Sequence, residues 1–317
     1  MLRELFKGDG NVQTLAELLE SINCNFDAEL VPIYHEVPVP DPNPFNHVAY
    51  HQAIPNKSCI RRGDNKIPLG VMSARYGLSQ YRDTLGFMTD IVGTNQAEFY
   101  GARAIDNGAS LFVAVKAPNT VMFAPDDSIE CFYTASTSHD GTGSIQLMLS
   151  PVHKKTQTIL TSLDSGIIRM RHTKLVKDRL ARATGTINKM QAVWNNHEDK
   201  FRTFAKLTMN DDEAKTYFAM VVPSDEVGDD VPTRTQNVRE KLFDIYKVGM
   251  VSQIPSCRGT LLGGFVSALV FGDYYKTTRT SIIGRSEQDV MVESRLAGTA
   301  ARFKADAFAA CLKLYRI

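Results

Sequence analysis

The chain has 317 residues and a formal charge of +1, from 36 Lys and Arg against 35 Asp and Glu. Hydrophobic residues make up 43% and charged residues 22%, which is typical of a soluble globular protein and excludes a histone-like polycation. No apolar run is long enough to span a bilayer and no early segment has the form of a signal peptide. The cysteines form no CxxC pair or metal-ligand spacing, so we expect free thiols in a reducing cytoplasm: Cys24, Cys59, Cys131, Cys257 and Cys311.

Residues 1–66 are predicted to form an N-terminal helix and a proline-rich arm. Leucines three and four residues apart predict a helix over residues 14–22, and residues 26–37 have an extended pattern. Alternating prolines then predict irregular backbone, because proline lacks an amide donor: Pro38, Pro40, Pro42 and Pro44. We expect residues 54–66 to form a loop with a basic character from Lys57, Arg61, Arg62 and Lys66.

Residues 67–209 are predicted to form a β-rich core that ends in a basic helix. A strand over residues 71–76 and a helix capped by Ser79 come first. Short β runs follow, separated by turn signals rich in Asp, Asn, Gly and Pro, which is typical of antiparallel hairpins. These runs cover residues 110–115, 128–134, 144–149 and 155–160. The pattern over residues 173–206 is helical, although Gly185 can divide it.

Residues 210–317 are predicted to be helical and to form one compact unit with residues 67–209. A short helix starts at Asn210, and residues 224–233 and 277–288 have loop composition. The remaining segments have helical patterns: 235–248, 259–275 and 292–314. The predicted fold class is therefore α+β, with a central antiparallel β-rich segment, a long basic helix after it and a helical C-terminal third.

Positive charge is concentrated where the β-rich core meets the basic helix. Residues 153–206 contain twelve Lys and Arg against four acids, a local excess of about +8 that is typical of a polyanion-binding face. On a strand, Arg169 and Arg171 share one face, and cations three residues apart on a helix can reach a common backbone. Nucleic-acid contacts are predicted at Arg169, Arg171, His172, Lys174, Lys177, Arg179 and Arg182, and also at Lys154, Lys155, Arg61 and Arg62. The alternative is a solvated helix face with local ion pairs.

No motif in the chain requires catalysis, a metal or a cofactor. There is no phosphate-binding glycine loop and no nucleophile elbow. His139 and Asp140 are adjacent in a Ser-His-Asp-Gly-Thr-Gly-Ser segment, where a tight turn explains the composition. A metal-dependent hydrolase built on these two residues is the alternative, but neighbouring residues of an extended segment point to opposite faces.

Several segments together resemble a phage- and plasmid-like protein family with a domain of unknown function, number 932. They lie in the family's order at residues 25–34 (Asn-Phe-Asp-Ala-Glu-Leu-Val-Pro-Ile-Tyr), 70–76 (Gly-Val-Met-Ser-Ala-Arg-Tyr), 137–144, 171–173 and 298–308, which includes Lys304. Where that family usually has Arg-Val-Val-Cys-x-Asn-Thr, residues 155–162 read Lys-Thr-Gln-Thr-Ile-Leu-Thr-Ser, so any role of that Cys and Asn does not carry over. The resemblance implies a mobile-element origin.

Three strands followed by a long basic helix are also similar, by fold pattern, to the core of phage single-strand annealing recombinases of the Red-beta type. The resulting expectation is a phage- or plasmid-encoded protein of the bacterial cytoplasm that binds and anneals single-stranded DNA during recombination, also contacts duplex intermediates, and forms a homo-oligomer. The alternative is a non-enzymatic interaction protein of the mobile element, acting on a host or defence factor or as a structural oligomer. In that alternative the basic run pairs with the acidic region 211–230 of a neighbouring subunit.

Overall fold

A computed structural model describes residues 2–6, 14–39, 49–93, 97–160, 168–172, 186–226, 230–277 and 285–316. Its helices are α1 (Leu2–Leu5), α2 (Leu15–Ser21), α3 (Tyr81–Thr84), α4 (Gly86–Gly93), α5 (Thr186–Lys206), α6 (Asp211–Val221), α7 (Thr233–Lys247), α8 (Leu261–Val270), α9 (Glu287–Leu296) and α10 (Thr299–Tyr315). A π-helical turn, Phe271–Tyr275, continues α8. Its strands are β1 (Ala28–Pro38), β2 (Ala49–Arg62), β3 (Pro68–Ser73), β4 (Glu98–Ile105), β5 (Ser110–Ala124), β6 (Asp127–Ser138), β7 (Ile145–Leu149), β8 (Val152–His153), β9 (Thr158–Ile159) and β10 (Ile168–Met170).

The strands form two antiparallel sheets. The smaller sheet has the order β1-β2-β3, and the larger has the order β10-β7-β6-β5-β4, with β8 and β9 beside the first half of β6. Helices dominate the chain after β10, so the predicted α+β class with a helical C-terminal third is confirmed. No helix in the described ranges is both long and apolar enough to cross a membrane.

The two faces of the larger sheet differ in polarity, as two adjacent rows of residues paired across its strands show. The first row is buried and apolar, and it packs into the main core: Ala102, Val113, Ala135, Leu147 and Ile168. The next row, one residue along each strand, lies on the opposite face and is mostly polar: Arg103, Phe112, Ser136, Gln146 and Arg169. Because side chains alternate along a strand, this register places Arg169 on the polar face.

The main core joins the N-terminal, β-rich and helical regions. It extends from Leu15 of α2 to Cys311 of α10 and includes Trp194 of α5. Phe201 and Phe204 belong to it as well, and both pack against Phe265 and Phe308. A second, smaller core lies on the same face as the polar row and includes Phe112 of that row together with Phe6, Phe132 and Leu296.

Three local predictions are wrong. Residues 54–66 were expected to form a loop, but most of them belong to β2, because this stretch pairs with both β1 and β3. Ser79 caps no helix; its Oγ lies 2.7 Å from Oγ1 of Thr84, and the segment after it forms two short helices. The last predicted helix is divided at Gly298, where a Cβ atom would lie 2.8 Å from Cα of Ser294. The helix predicted over residues 173–206 is α5 from Thr186 onwards, and residues 173–185 lie outside the described residues.

Candidate nucleic-acid interface

Two adjoining cavities form an open groove on the polar-row face of the larger sheet. The first, of about 600 Å³, lies between the sheet and the α9–α10 turn, and Arg302 and Asp306 of α10 stand on its helical wall. The second, of about 750 Å³, lies beside the end of β3 and contains Arg75 and Arg171. The cavities share four lining residues, Thr142, Gly143, Ser144 and Arg169. We call the two together the arginine groove.

Hydroxyl groups cover the sheet side of the arginine groove. They come from the first residue of β5, the last residues of β6 and the turn before β7. The residues are Ser110, Ser136, Thr137, Ser138, Thr142 and Ser144. Hydroxyl groups both donate and accept hydrogen bonds, and they carry no charge of their own. The floor is therefore polar and neutral, and the charge of the groove is set by the side chains around it.

The turn between β6 and β7 is fixed by its own side chains. Asp140 Oδ1 accepts hydrogen bonds from the amide and the hydroxyl of Thr142, at 2.8 and 2.6 Å. Ser138 Oγ accepts one from the amide of Gly143 at 2.9 Å. Gly141 has a φ of +79°, which favours glycine. The sequence prediction that this segment is a tight turn is confirmed.

Four exposed arginines line the arginine groove, and three of them, Arg75, Arg169 and Arg171, come from β3, β10 and the residues that follow these strands. Arg75, Arg169 and Arg171 form no ion pair or hydrogen bond with any described residue. A guanidinium group without a carboxylate partner keeps its five donors available, and its planar fork matches the two oxygens of a phosphate. Among the described residues, these three side chains are therefore suited to binding an anion that lies along the groove.

His172 lines the arginine groove, but its environment differs from that expected of a nucleic-acid contact. Its ring stacks on Tyr76, with the ring centroids 5.2 Å apart, and its Nε2 lies 3.3 Å from Oγ1 of Thr137. Burial lowers the pKa of His172 to about 4, so the ring is neutral at pH 7. The histidine is thus buried and uncharged, and it supplies no positive charge to a phosphate.

Arg62 is a structural residue, which corrects its predicted role as a nucleic-acid contact. Its side chain is only 4% exposed and pairs with Asp64 at 2.7 Å. It also donates hydrogen bonds to the carbonyl groups of Asn23 and Asn107, and it lies 4.0 Å from the ring centre of Phe26. The hydrogen bond from Arg62 lowers the pKa of Asp64 to about 2. The guanidinium group of Arg62 thus binds partners within the protein and is not available to a phosphate.

Three further predicted contacts that the structure describes, Arg61, Lys154 and Lys155, do not line the arginine groove. Arg61 pairs with Glu29 at 2.9 Å. Lys154 and Lys155 are exposed in the turn between β8 and β9. Of these two strands, β8 pairs with β6 at Ile129 and Glu130, and the six residues of β6 from Glu130 to Ser136 correspond to roughly 20 Å. Lys174, Lys177, Arg179 and Arg182 lie outside the described residues.

Sequence reasoning missed Arg75 and Arg302. Arg75 follows β3, whereas Arg302 is in the first turns of α10, and the fold brings both to the cavities that share Arg169. Neither belongs to a local charge run, so spacing along the chain carries no sign of their shared position. The available signal was the family resemblance, since segment 70–76 contains Arg75 and segment 298–308 contains Arg302.

One buried cluster resembles a nucleophilic site but lacks its geometry. His153 Nε2 lies 3.5 Å from Oδ1 of Asp127 and 4.0 Å from Sγ of Cys257, so both partners compete for one nitrogen. A nucleophile–His–Asp triad uses the two ring nitrogens separately. Burial also raises the pKa of Cys257 to about 12, which keeps it a thiol. The described residues contain no group of three His, Cys, Asp or Glu placed to hold a metal ion.

Comparison with known proteins gives one match. The model of the family described as Domain of unknown function (DUF932) matches residues 68–289, which is more than two thirds of the chain. No curated protein and no solved structure gives a significant match. The matched range contains Arg75, Arg169 and Arg171, and it ends before Arg302.

Proposed function

The chain belongs to this family, whose description assigns no activity, and we propose from the arginine groove that the protein binds single-stranded DNA. The observation that carries the proposal is the set of three exposed arginines, Arg75, Arg169 and Arg171, without a carboxylate partner among the described residues. Arginine binds phosphate oxygens through its fork, and each neutralised phosphate releases counterions. The groove thus recognises the backbone of the strand and not its sequence.

The dimensions and chemistry of the groove favour a single strand over a duplex. Cavities of about 600 and 750 Å³ are in the size range of small-ligand sites, so each holds about one or two nucleotides. Hydroxyl groups on the floor can bond to phosphate or sugar oxygens without adding charge. A strand held by its backbone leaves the base edges free to pair, which is the requirement for annealing.

The proposal includes a setting for this activity. The protein would act in recombination of a phage or plasmid, in the cytoplasm of a bacterial host, as a homo-oligomer that also contacts duplex intermediates. It would need no metal or nucleotide cofactor, since its contribution is electrostatic. This setting is supported by the resemblance of the segments that include Gly70–Tyr76 and residues 137–144 to a phage- and plasmid-like family.

Replacing both strand arginines tests the proposal. Arg169→Ala/Arg171→Ala is expected to weaken binding to a single-stranded oligonucleotide by roughly 10–100-fold at low salt, because two charge-assisted contacts are lost. The slope of log K against log salt is expected to fall by about 1.4, from two fewer neutralised phosphates on a single strand. Fluorescence anisotropy over a salt series measures both quantities.

Lys154→Ala/Lys155→Ala is the matched control. It removes the same charge from exposed positions at the other end of β6, away from the groove. The control is expected to retain the binding constant of the wild type within a few-fold. Equal losses in the two double variants, or no binding by the wild type at low salt, would contradict the proposal.

A second candidate function, protein–protein interaction, is favoured by the hairpin of β1 and β2. The hairpin exposes large apolar and aromatic side chains, and Tyr34 and Tyr50 are 55% and 54% exposed. They lie on opposite faces, because Tyr34 pairs with Ala53 and Tyr50 with Val37. No Lys or Arg occurs from residue 30 to residue 56, so the hairpin is unsuited to a polyanion. Exposed apolar surface of this kind is typical of contacts between proteins.

The hairpin variant Tyr34→Ser/Tyr50→Ser tests this role. If the hairpin joins copies of the protein, light scattering after size exclusion is expected to show a smaller assembly than the wild type forms at the same concentration. Arg61→Ser, at the base of the same hairpin, is the control and should keep the assembly size of the wild type. An unchanged mass for the tyrosine variant would exclude this hairpin as the contact between copies.

A further inference from the structure

The two cavities of the arginine groove carry different charges. The second cavity contains Arg75 and Arg171, and no Asp or Glu is among the described residues that line it. The first cavity has Glu293 and Asp306 on its helical wall, beside Arg302. A phosphate is attracted by the arginines of the second cavity and repelled by the carboxylates of the first. The first cavity therefore suits a neutral group that offers both hydrogen-bond donors and hydrogen-bond acceptors.

Arg302 and Asp306 present opposite charges to the first cavity from α10. They are four residues apart, a spacing that places two side chains on one face of a helix with their Cβ atoms about 5–6 Å apart. Both side chains are exposed, and neither forms an ion pair or a hydrogen bond with any described residue. The guanidinium group keeps its donors and the carboxylate keeps its acceptors, so both are available to a ligand in the cavity.

The rest of the helical wall is fixed in position and small. Nη2 of Arg285 lies 2.7 Å from Oε2 of Glu293, and Nε of Arg285 lies 2.7 Å from Oδ2 of Asp106. Because one arginine bridges two carboxylates, Glu293 is held in place and the cavity keeps negative charge on this side. The remaining residues of the wall are Ala297, Gly298 and Ala305. The wall therefore leaves room for a flat ring beside its charged side chains.

Guanine is the base whose hydrogen-bonding groups match Arg302 and Asp306. Its O6 and N7 are adjacent acceptors, which an arginine fork binds together. Its N1–H and N2 amino groups are adjacent donors on the neighbouring edge, and a carboxylate can accept from both with its two oxygens. Adenine, cytosine and thymine have no two adjacent donors on the ring edge, so each would leave one oxygen of Asp306 without a partner.

We propose that the first cavity binds one guanine base of the single strand, with Asp306 accepting from N1 and N2 and Arg302 donating to O6 and N7. The phosphates of the strand stay on Arg75, Arg169 and Arg171. This inference rests on the proposed function for the strand and refines it at one nucleotide. The backbone contacts remain independent of sequence, and the bound base adds a preference for strands that contain guanine. All other bases stay free to pair.

Two strands of about 15 nucleotides test the proposal, one of thymine alone and one with a single central guanine. The wild type is expected to bind the strand with guanine roughly tenfold more tightly, which is the discrimination that a bidentate contact to a base provides. Hypoxanthine in place of guanine lacks the N2 amino group and should remove most of this preference. Fluorescence anisotropy at one low salt concentration measures the binding constants.

Asp306→Asn tests whether the preference arises in this cavity. Asparagine keeps the size of the side chain but replaces one acceptor oxygen by a donor, so the ratio of the two binding constants is expected to fall from about ten to about one. Glu287→Gln is the matched control, because it removes the same charge from an exposed position of α9 that does not line the cavity. The control should keep the ratio of the wild type.

Equal binding of the two strands by the wild type would overturn the inference and leave the proposed function intact. An unchanged ratio in Asp306→Asn would also overturn it. Guanosine alone gives a readout that depends on neither DNA nor a phosphate. It is expected to raise the Tm of the wild type and not that of Asp306→Asn, because a ligand stabilises only the state that binds it. If guanosine discriminates the two proteins while no oligonucleotide binds, the base site stands and the proposed function fails.

Discussion

Asp273→Asn is expected to destabilise the protein by about 3–5 kcal/mol, because it leaves a buried lysine without a counter-charge. Lys304 of α10 donates to Oδ1 of Asp273 at 2.6 Å and to the carbonyl of Arg295 at 3.2 Å. Both side chains of the ion pair are 0% exposed. Asp273 Oδ2 also accepts the amide of Ile159, so this carboxylate ties the π-helical turn to β9 as well as to α10. Urea denaturation at pH 7 measures the loss.

The double variant Asp273→Asn/Lys304→Met distinguishes a buried charge from lost packing. Methionine has a similar length and no charge, and the asparagine retains an acceptor for Ile159. The double variant is therefore expected to be clearly more stable than Asp273→Asn alone, since replacing a buried ion pair by apolar groups often costs little. A double variant that is less stable than both single variants would show that the two side chains contribute independently, through packing or other hydrogen bonds, and would contradict the expected penalty of an unpaired buried charge.

Acidification from pH 7 to pH 4 is expected to destabilise the protein through two buried histidines. His139 stacks on Tyr81 with ring centroids 4.1 Å apart, and neither ring nitrogen has a hydrogen-bond partner among the described residues. Burial, and then the neighbouring His172, lowers the pKa of His139 to about 3. Burial lowers the pKa of His172 to about 4.

The lowered pKa values of His139 and His172 set the pH range over which the stability of the protein changes. An unfolded histidine has a pKa of about 6.5, so between that value and the folded pKa the unfolded state binds more protons than the native state. Stability is then expected to be insensitive to these histidines above about pH 7 and to fall by about 1.4 kcal/mol per pH unit for each of them below about pH 6. Carboxylates titrate in the same region, so the decisive quantity is the difference between variants.

His139→Phe isolates the contribution of one ring. Phenylalanine can keep the stack on Tyr81 and cannot bind a proton. Its free energy of unfolding, from urea titrations at several values between about pH 4.5 and 6.5, is expected to depend less steeply on pH than that of the wild type. His51→Phe, at an exposed position of β2, is the control and should keep the slope of the wild type. The same slope in His139→Phe and the wild type would exclude His139 as a source of acid sensitivity.

Much of the fold is predictable because its signals are local. Alternation of side chains and turn residues identified β5, β6 and β7, and the capping pattern at Asn210 correctly placed the start of α6. The long strand β2 was mistaken for a loop, because its pattern of polar residues and Pro55 does not alternate on its own. It becomes a strand only through pairing with β1 and β3, and such contacts between distant segments leave little trace in one sequence.

The candidate site was predicted only in part, because some of its residues come together through contacts between distant segments. Arg169 and Arg171 were expected to be exposed on one face of a strand, and in the structure both are exposed. Burial of Arg62 was not predictable, because its partners Asn23 and Asn107 are 39 and 45 residues away along the chain. Arg302 was missed because it reaches the groove only through the folding of α10 onto the sheet.

The two faces of the larger sheet have a consequence for the thermodynamics of binding. The strands that carry the hydroxyl floor bury their other side chains in the main core, as Val113 and Ala135 do. The floor is therefore as rigid as the core beneath it, whereas the arginines above it end in free side chains. A ligand on such a surface loses its own conformational freedom and leaves the backbone of the protein unchanged. We expect the conformational entropy lost on association to come from the nucleic acid and from the arginine side chains, and we expect stiff strands to bind more tightly than flexible ones of equal charge.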